Sequence, residues 1–348
     1  MKVLCIGHAS YDISCPVDDY PTENIKYRLN EVYEAGGGPA CNGAYLLGKW
    51  GIETYFAGAV GADDYGTKIK KELEGVRVNT SYLETNYEKS TSVSFILINK
   101  KTGSRTLFNI SKDYPQLKKY EYTDEPDIIL ADGHEYNATM TALNKYPNAV
   151  SVIDAGRPTP EVLEICKHIK HIVCSLSFAE AVTKIKADFN NPTTLVSIFV
   201  ELKKKYPNSN VVVTLEDKGA LYSVEDQIKV MPGIKMEVKD TTGAGDVFHG
   251  AYVYGLACNY PLEKVITYAN IAAGLSVSKY GGRLSIPALN EVINYYNQKF
   301  PPQVTQTQQP VTAQSTQQVV QEQNSQPQPV TETTQTTVSQ EGQIQGNA

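Results

Sequence analysis

The segment KDTTGAGDVFHGAYVYGLA, residues 239–257, joins a glycine-rich turn to what reads as a helix of small and aromatic residues. Glycine and alanine leave the N–H groups of such a turn accessible, and the helix that follows directs its positive end at the same place. The pattern predicts an anion pocket formed by Gly243, Ala244 and Gly245. Such a pocket would suit a phosphoryl group or the charge that develops on one.

Asp246 would lie in the first helical turn beside that pocket, and two interpretations of it are open. The carboxylate could cap the helix, because anions stabilise helix N-termini. It could also act as a general base that accepts the proton of a substrate hydroxyl as the hydroxyl attacks a γ-phosphate. The chain contains neither the P-loop sequence GxxxxGK[ST] nor a Rossmann fingerprint after its first strand.

Short apolar runs alternate with helical patterns along most of the chain, which predicts an α/β fold with a largely parallel sheet. Ligands of such sheets bind beyond the C-terminal ends of the strands. We therefore expect the loops GGGPACN, ADGHE, DAGRP, TLEDKG and DTTGAGD on one rim of the sheet. Residues 12–33 and 91–110 are strand-like and interrupt the alternation, so they are expected to form a small separate sheet over that rim.

The last part of the chain, residues 301–348, is dominated by Gln, Thr, Val and Pro and has no Lys, Arg or aromatic residue. Such a segment cannot bury enough apolar surface to offset its ordering entropy, so we predict a disordered tail. The preceding residues, 1–300, are predicted to form one folded domain.

The composition narrows the possible partners. The formal net charge is −6 at pH 7, and no basic stripe suggests nucleic acid. No apolar run approaches membrane-spanning length, and the start of the chain is too weakly apolar for a signal peptide. The six cysteines form no CxxC pair, so neither a zinc site nor a disulfide framework is indicated. We expect a cytoplasmic protein with small-molecule substrates and without nucleic-acid or membrane partners.

Taken with its context, DTTGAGDVFHGAYVYGLA resembles the C-terminal signature of the ribokinase-like (PfkB) family of carbohydrate kinases. GGGPACNGAYLLGKWG resembles that family's N-terminal glycine signature, GHASYDISCPVDDYP its opening strand, and VVVTLEDKGAL its nucleotide-loop strand. Order and spacing agree over nearly all of the predicted domain. The resemblance implies a three-layer α/β/α fold around a central, mostly parallel sheet. It also implies a small β-sheet lid, through which the protein would form a homodimer.

The resemblance also implies roles for individual residues in phosphoryl transfer. Asp246 would be the general base, and Gly243, Ala244 and Gly245 would form the anion hole. The groups that hold the sugar would be Asp12, Gly37, Gly38 and Asn42, with Arg157 near a phosphate or an acidic sugar.

Further positions would serve ATP and cations. The residues bordering the ATP site would be Thr214, Gly219 and Asn270. Glu180 would help to organise Mg²⁺ through water. The loop for a monovalent cation, typically K⁺, would include Asp240, Thr241 and Ser285.

Two positions depart from the family pattern. Ser177 stands where the family's N-x-x-E motif has asparagine, and Glu216 replaces the first glycine of the nucleotide loop. Our first hypothesis is an ATP-dependent sugar kinase. A nucleoside kinase of the same superfamily and a non-catalytic sugar- or nucleotide-binding regulatory protein remain alternatives. For a nucleoside, an aromatic slot would be supplied by Tyr11, Tyr27 and Phe108.

Overall fold

The structure, a computed structural model, describes residues 1–110 and 113–301. The predicted disordered tail lies outside the described residues except for its first position. Along the described chain the strands are β1 (Lys2–Ile6), β2 (Ser10–Val17), β3 (Tyr33–Gly37), β4 (Glu53–Gly61), β5 (Leu83–Asn86), β6 (Ser92–Asn99), β7 (Arg105–Asn109), β8 (Ile128–Ala131), β9 (Val150–Ala155), β10 (His171–Ser175), β11 (Asn210–Thr214), β12 (Ala220–Val224) and β13 (Gln227–Met231).

A large central sheet has the strand order β13-β12-β11-β10-β9-β8-β1-β4-β5. All neighbours from β11 to β5 are parallel, whereas β12 and β13 add an antiparallel hairpin at one edge. The inner strands are almost entirely buried, as expected for a parallel sheet covered on both faces. The predicted mostly parallel α/β fold is confirmed.

Helices cover both faces of this sheet. They are α1 (Pro39–Lys49), α2 (Asp64–Gly75), α3 (Tyr136–Lys145), α4 (Pro160–Ile165), α5 (Leu176–Thr183), α6 (Thr193–Lys205), α7 (Ala244–Ala257), α8 (Leu262–Ser276) and α9 (Leu289–Lys299). Successive side chains of a strand point to opposite faces. On β11, Val212 accordingly packs in the core that contains residues of α1, α7 and α8, while Val211 and Val213 pack in the core of α5 and α6. This alternation produces the three layers.

A second sheet has the order β3-β2-β6-β7, and we call it the small sheet. Strands β2 and β6 run parallel, and the outer pairs are antiparallel. The expectation of strand-like structure throughout residues 12–33 was wrong for residues 18–32, which form no strand. That stretch contains Pro21, which removes one N–H donor. Apolar and polar residues do alternate from Ile25 to Asn30, but the side chains of Ile25, Tyr27 and Leu29 are exposed, so no buried face stabilises a strand.

The turn between β6 and β7 lies against the loop that precedes α7. The carbonyl of Gly103 accepts hydrogen bonds from Thr241 N at 3.2 Å and from Thr241 Oγ1 at 3.1 Å. Arg105 Nη1 donates to Thr241 O at 3.0 Å and to Thr241 Oγ1 at 2.8 Å. The small sheet therefore contacts the loop that carries the predicted anion pocket. Among the described helices, none has the length and apolar character needed to span a membrane.

Candidate active site

The N-terminus of α7 presents free N–H groups next to open space. Gly243 precedes the helix with φ of 74°, in the left-handed region that glycine adopts without a steric penalty. The N–H groups of residues 244–246 come before the first intrahelical bond, which runs from Val247 N to Gly243 O at 2.9 Å. Ala244 N donates to Thr241 O at 3.4 Å, whereas Gly245 N and Asp246 N have no partner among the described residues. A side chain at Gly245 would meet no atom within 4 Å. The geometry can receive an anion.

The carboxylate of Asp246 stands beside these N–H groups and is half-buried. Its Oδ2 accepts a hydrogen bond of 2.7 Å from Asn42 Nδ2, which α1 contributes. Burial raises the pKa of Asp246, while the hydrogen bond from Asn42 and the charges of His249 and Arg105 act in the opposite direction. Among the described hydrogen bonds, none runs from a helix N–H to this carboxylate, so the capping interpretation gains no support.

Asp12 faces the same space from β2. Its Oδ1 accepts a hydrogen bond of 3.1 Å from Ser10 Oγ, and a side chain at Gly37 would collide with its carboxylate. The glycine on β3 thus leaves the room that Asp12 occupies. Burial raises the pKa of Asp12 to about 6, and the negative charge of Asp246 contributes to the increase. Gly38 lies one residue further on and accepts a hydrogen bond of 2.8 Å from Asn42 N.

A buried carboxylate, Asp132, joins the loop after β1 to two loops of the predicted rim. It follows β8 and accepts hydrogen bonds from His8 N at 2.9 Å, Ala40 N at 3.1 Å and His134 N at 3.0 Å. The ring of His134 also contacts it, at 3.1 Å between Nδ1 and Oδ1. The negative charge of Asp132 raises the pKa of His134. Two of the five loops predicted for the rim, GGGPACN and ADGHE, therefore meet at Asp132.

A second carboxylate, Asp154, lies at the end of β9 and contacts α7. Its Oδ2 is 3.1 Å from His249 Nδ1, which is also 2.6 Å from the carbonyl oxygen of Gly245. The other ring nitrogen of His249 is 3.0 Å from Val173 O, so the ring is buried between polar partners. Burial raises the pKa of Asp154 to about 6, opposed by His249. His249 thus links the first turn of α7 to strands β9 and β10.

The predicted loop for a monovalent cation is held together by Asp240, whose exposed fraction is 1%. Its carboxylate accepts hydrogen bonds from Thr242 N and Gly281 N, both at 2.8 Å. Within residues 1–110 and 113–301, no cationic side chain lies within ion-pair distance of it, and the buried Thr242 Oγ1 has no hydrogen-bond partner. Ser285 Oγ donates to Gly282 O at 2.8 Å. A buried, uncompensated carboxylate beside an unsatisfied hydroxyl fits a bound cation.

The residues predicted for the ATP site come together at the turn between β11 and β12. Thr214 pairs with Ala220 across the two strands, and a side chain at Gly219 would collide with the carbonyl oxygen of Met231. Asn270 of α8 donates to the same carbonyl at 3.5 Å. These three predicted positions therefore surround one short stretch of backbone.

Other predicted positions lie apart or are already engaged. Glu180 accepts hydrogen bonds from Lys186 Nζ at 2.7 Å and from Ala187 N at 3.0 Å, and its pKa is lowered mainly by Lys186. Arg157 is exposed after β9, and its side chain makes no hydrogen bond with any described residue. Both roles stay predictions.

The two departures from the family pattern are both exposed. Among the described residues, the hydroxyl of Ser177 is hydrogen-bonded only to Ser175 Oγ, at 2.9 Å. Glu216 has φ of 53°, so it adopts the left-handed conformation that glycine would adopt at this position. The predicted nucleotide loop therefore has a left-handed backbone at this position although the residue is glutamate.

Two arginines of the site were missed by sequence reasoning. Arg105 reaches Thr241 from the small sheet, as described above. Arg283 is 2% exposed and donates from Nε to Asn42 Oδ1 at 3.0 Å, although the two residues are 241 positions apart. No local pattern could have revealed that contact. One indication that Arg283 is buried was present in the sequence: in the segment GGRLSIP it is flanked by glycine and apolar residues.

The site combines an anion pocket at a helix N-terminus with a carboxylate beside it, and further polar side chains face that carboxylate. This combination indicates the type of reaction. The geometry suits an α/β enzyme that transfers a phosphoryl group to a hydroxyl. Comparison with known proteins agrees with this class. The model of the pfkB family carbohydrate kinases matches residues 1–289. The chain belongs to this family, as its motifs predicted.

Individual relatives cover most of the chain. A ribokinase of Bacillus subtilis is 25% identical over 297 residues, covering 84% of this chain and 98% of that protein. A nucleoside kinase of Methanocaldococcus jannaschii is 24% identical over 300 residues, covering 84% and 95%. The structure of Arabidopsis thaliana ribokinase complexed with ribose and ATP has a TM-score of 0.68 at 21% identity, covering 84% of this chain and 97% of that one.

The chain is therefore an ATP-dependent carbohydrate kinase, and its acceptor is a sugar or a nucleoside. The comparisons thus favour a kinase over the third hypothesis, a regulatory protein without catalysis, which Ser177 and Glu216 had motivated.

Proposed function

We propose that this kinase transfers the γ-phosphate of ATP to a hydroxyl group of a sugar, with Asp246 as the general base. The observation that carries the proposal is the meeting of Asp246, Asn42 and Asp12 in front of the free N–H groups of α7. Short carboxylate and amide side chains can bind several hydroxyl groups of one sugar. The same space is open at Gly245, where a phosphoryl group would enter.

The reaction would proceed in one displacement. Asp12, Asn42 and the backbone at residues 37–38 would hold the sugar so that one hydroxyl faces Asp246. As that oxygen attacks the γ-phosphorus, Asp246 accepts its proton and the bond to the β-phosphate oxygen breaks, releasing ADP. The N–H groups of residues 243–245 would stabilise the charge on the transferred group. Thr214, Gly219 and Asn270 would border the nucleotide.

Cations are part of the proposal. Mg²⁺ would neutralise the phosphates of ATP and is expected to arrive with them, since Mg²⁺ is usually bound through substrate phosphates and one or two carboxylates. Both carboxylate oxygens of Glu180 already accept hydrogen bonds, so its contribution would be indirect, through water. K⁺ would be held in the predicted loop by Asp240, Thr241 and Ser285, with the hydroxyl of Thr242, unpartnered among the described residues, in the same loop. There it would compensate the buried charge of Asp240.

A nucleoside acceptor is the second candidate. His134 stacks on His8 with ring centroids 5.0 Å apart, and Tyr114 meets His8 edge-on at 4.5 Å. This group of rings, at the rim beside Asp132, offers a face on which a base could stack. Tyr11, in contrast, is buried against Tyr65, with ring centroids 4.6 Å apart, and is already engaged.

We also propose that the small sheet forms a homodimer interface. Three apolar side chains on or just after β7 are among the most exposed of the described chain: Leu107 at 49%, Phe108 at 52% and Ile110 at 67%. Light scattering should report a dimer, and Phe108→Asp should convert it to a monomer. A monomeric wild-type protein at micromolar concentration would rule this interface out.

The cytoplasmic location stays a prediction.

The proposed function is tested by measuring ADP release with ketoses, aldoses, sugar acids, sugar phosphates and nucleosides. Asp246→Asn should reduce kcat with the preferred acceptor by about 10²–10⁴-fold, the usual contribution of a general base, while ATP still binds. Asp226→Asn is the matched control, because Asp226 is exposed in the β12–β13 turn. Turnover by Asp246→Asn at the wild-type rate would exclude the assigned base. A nucleoside as the only acceptor would favour the second candidate.

A further inference from the structure

Four side chains form a continuous hydrogen-bonded chain that ends at the catalytic base. Glu72 of α2 accepts from Arg283 Nη1 at 2.8 Å, and Arg283 Nε donates to Asn42 Oδ1 at 3.0 Å. Asn42 Nδ2 then donates to Asp246 Oδ2 at 2.7 Å. We call this arrangement the Glu72–Asp246 chain. It connects α2, the turn at residues 283–285, α1 and α7.

The guanidinium of Arg283 is buried among hydrogen-bond acceptors and beside an aromatic ring. Its Nη2 contacts Cys41 Sγ at 2.9 Å, and its guanidinium lies 5.2 Å from the centroid of the Tyr45 ring. A side chain at Gly36 would collide with Nη1, while Gly36 N donates to Glu72 Oε2 at 2.9 Å. A buried arginine is costly unless it is paired and hydrogen-bonded, and here all three guanidinium nitrogens have partners.

The chain has one direction, because arginine can only donate hydrogen bonds. The bond from Nε therefore fixes the oxygen of the Asn42 amide on the Arg283 side. The NH₂ group of the same amide must then face Asp246. In the opposite orientation, the amide oxygen would point at the carboxylate, and both contacts would be lost.

We propose that Arg283 is a positioning residue for the catalytic base. It holds the Asn42 amide in the single orientation that donates a hydrogen bond to Asp246, while Glu72 balances its buried charge. This inference rests on the proposed role of Asp246. Arg283 itself makes no hydrogen bond to Asp246; it acts on the base through Asn42, and its charge also lowers the pKa of Asp12.

Removing Arg283 should change the ionisation of Asp246. The hydrogen bond from Asn42 lowers the pKa of Asp246 against the effect of burial. Without Arg283, the amide would rotate freely and that bond would weaken. The other charged groups that act on Asp246 come from β2, β7, the loop after β8, β9 and α7, and would remain in place: Asp12, Arg105, Asp132, Asp154 and His249.

The first measurement is the pH profile of kcat for the wild type, Arg283→Met and Arg283→Lys. In Arg283→Met the acid limb should move up by about one to two pH units, the pKa equivalent of a hydrogen bond to a charged group. Arg283→Lys keeps the charge beside Glu72 but lacks the planar fork, so a smaller shift is expected. If Arg283→Met does not fold, the pH profile of Arg283→Lys is compared with that of the wild type instead.

Lys49→Met is the matched control. Lys49 Nζ donates to Ile286 O at 2.6 Å and anchors the end of the same turn without contacting Asn42. Its removal should lower the melting temperature and leave the acid limb in place. If Arg283→Met and Arg283→Lys behave like Lys49→Met, with lower stability and an unchanged pH profile, Arg283 is only structural and the proposal is wrong.

A second measurement does not depend on turnover. The carboxyl carbon of Asp246, assigned through Asp246→Asn, can be followed by NMR in protein labelled with ¹³C-aspartate, at a series of pH values without substrate. Its pKa should be higher in Arg283→Met than in the wild type. A shift in a protein that phosphorylates no acceptor would support the positioning role and contradict the proposed function. An unchanged pKa in an active enzyme would overturn the positioning role alone.

Discussion

Asn42 and Asp246 lie 204 positions apart in the chain, and a hydrogen bond of 2.7 Å joins their side chains. The contact brings the two glycine signatures of the sequence together. The first places Asn42 in the buried first turn of α1, and the second places Asp246 in the first turn of α7. Substrate binding and proton transfer would thereby share one side-chain pair, because the amide that faces the base is also predicted to hold the sugar.

The buried charge of Asp12 leads to a prediction about stability. Its pKa is about 6 in the folded protein, against an ordinary value of 3.8. A carboxyl group with a raised folded-state pKa destabilises the fold once it ionises, so this loss develops between about pH 4 and pH 6 and persists above that range. Asp12→Asn should therefore stabilise the protein at pH 8 by roughly 1–3 kcal/mol and have little effect near pH 4.

Thermal melts at both pH values measure this effect, and the same variant should raise KM for the acceptor. Asp226→Asn, which changes an exposed aspartate, should alter neither quantity. If Asp12→Asn stabilises the protein equally at pH 8 and near pH 4, the pKa of Asp12 is not raised in the folded state.

The buried carboxylate of Asp240 predicts stabilisation by a monovalent cation. A ligand that binds only the folded state raises the melting temperature as its concentration increases. KCl should therefore raise Tm more than tetramethylammonium chloride at the same ionic strength. In Asp240→Asn, where no buried charge needs compensation, the two salts should act alike. Identical Tm values in both salts for the wild type would exclude a K⁺ site.

The contact between Arg105 and Thr241 predicts that the small sheet takes part in acceptor binding. Arg105→Ala removes two hydrogen bonds to the loop before α7, so KM for the acceptor should rise by about tenfold. Its charge also lowers the pKa of Asp246, and the acid limb of kcat should move upwards. Arg77→Ala, at an exposed position after α2, is the control. Unchanged kinetics in Arg105→Ala would mean that this contact is dispensable.

Glu216 predicts a variant that gains stability. Its φ of 53° costs a non-glycine residue free energy, so Glu216→Gly should stabilise the protein by about 1 kcal/mol. Removing the carboxylate should also lower KM for ATP, since it stands in the predicted nucleotide loop. Glu216→Ala separates the two effects, because it removes the charge and keeps the backbone strain. Destabilisation by Glu216→Gly in urea unfolding would show that the carboxylate makes a favourable contact.

Several features could be predicted because local sequence determines them. Continuous apolar runs indicated buried parallel strands, and the glycine-rich turn before Asp246 indicated a helix N-terminus with free N–H groups. The family signatures extended this reasoning to the roles of Asp12, Asn42 and Asp246. Residues 18–32 were assigned wrongly, since a weak local pattern there was taken for strands.

Only the tertiary structure decided which of these groups meet. The contacts of Arg283 with Asn42, of Arg105 with Thr241 and of Asp240 with Gly281 join segments that are distant in the chain. Such contacts depend on strand order and on the packing of helices against the sheet, and no local periodicity encodes them. The sequence therefore determined the kind of chemistry and indicated the residues proposed to carry it. The fold determined how Asp246 is held, because side-chain orientation is fixed by neighbours in space.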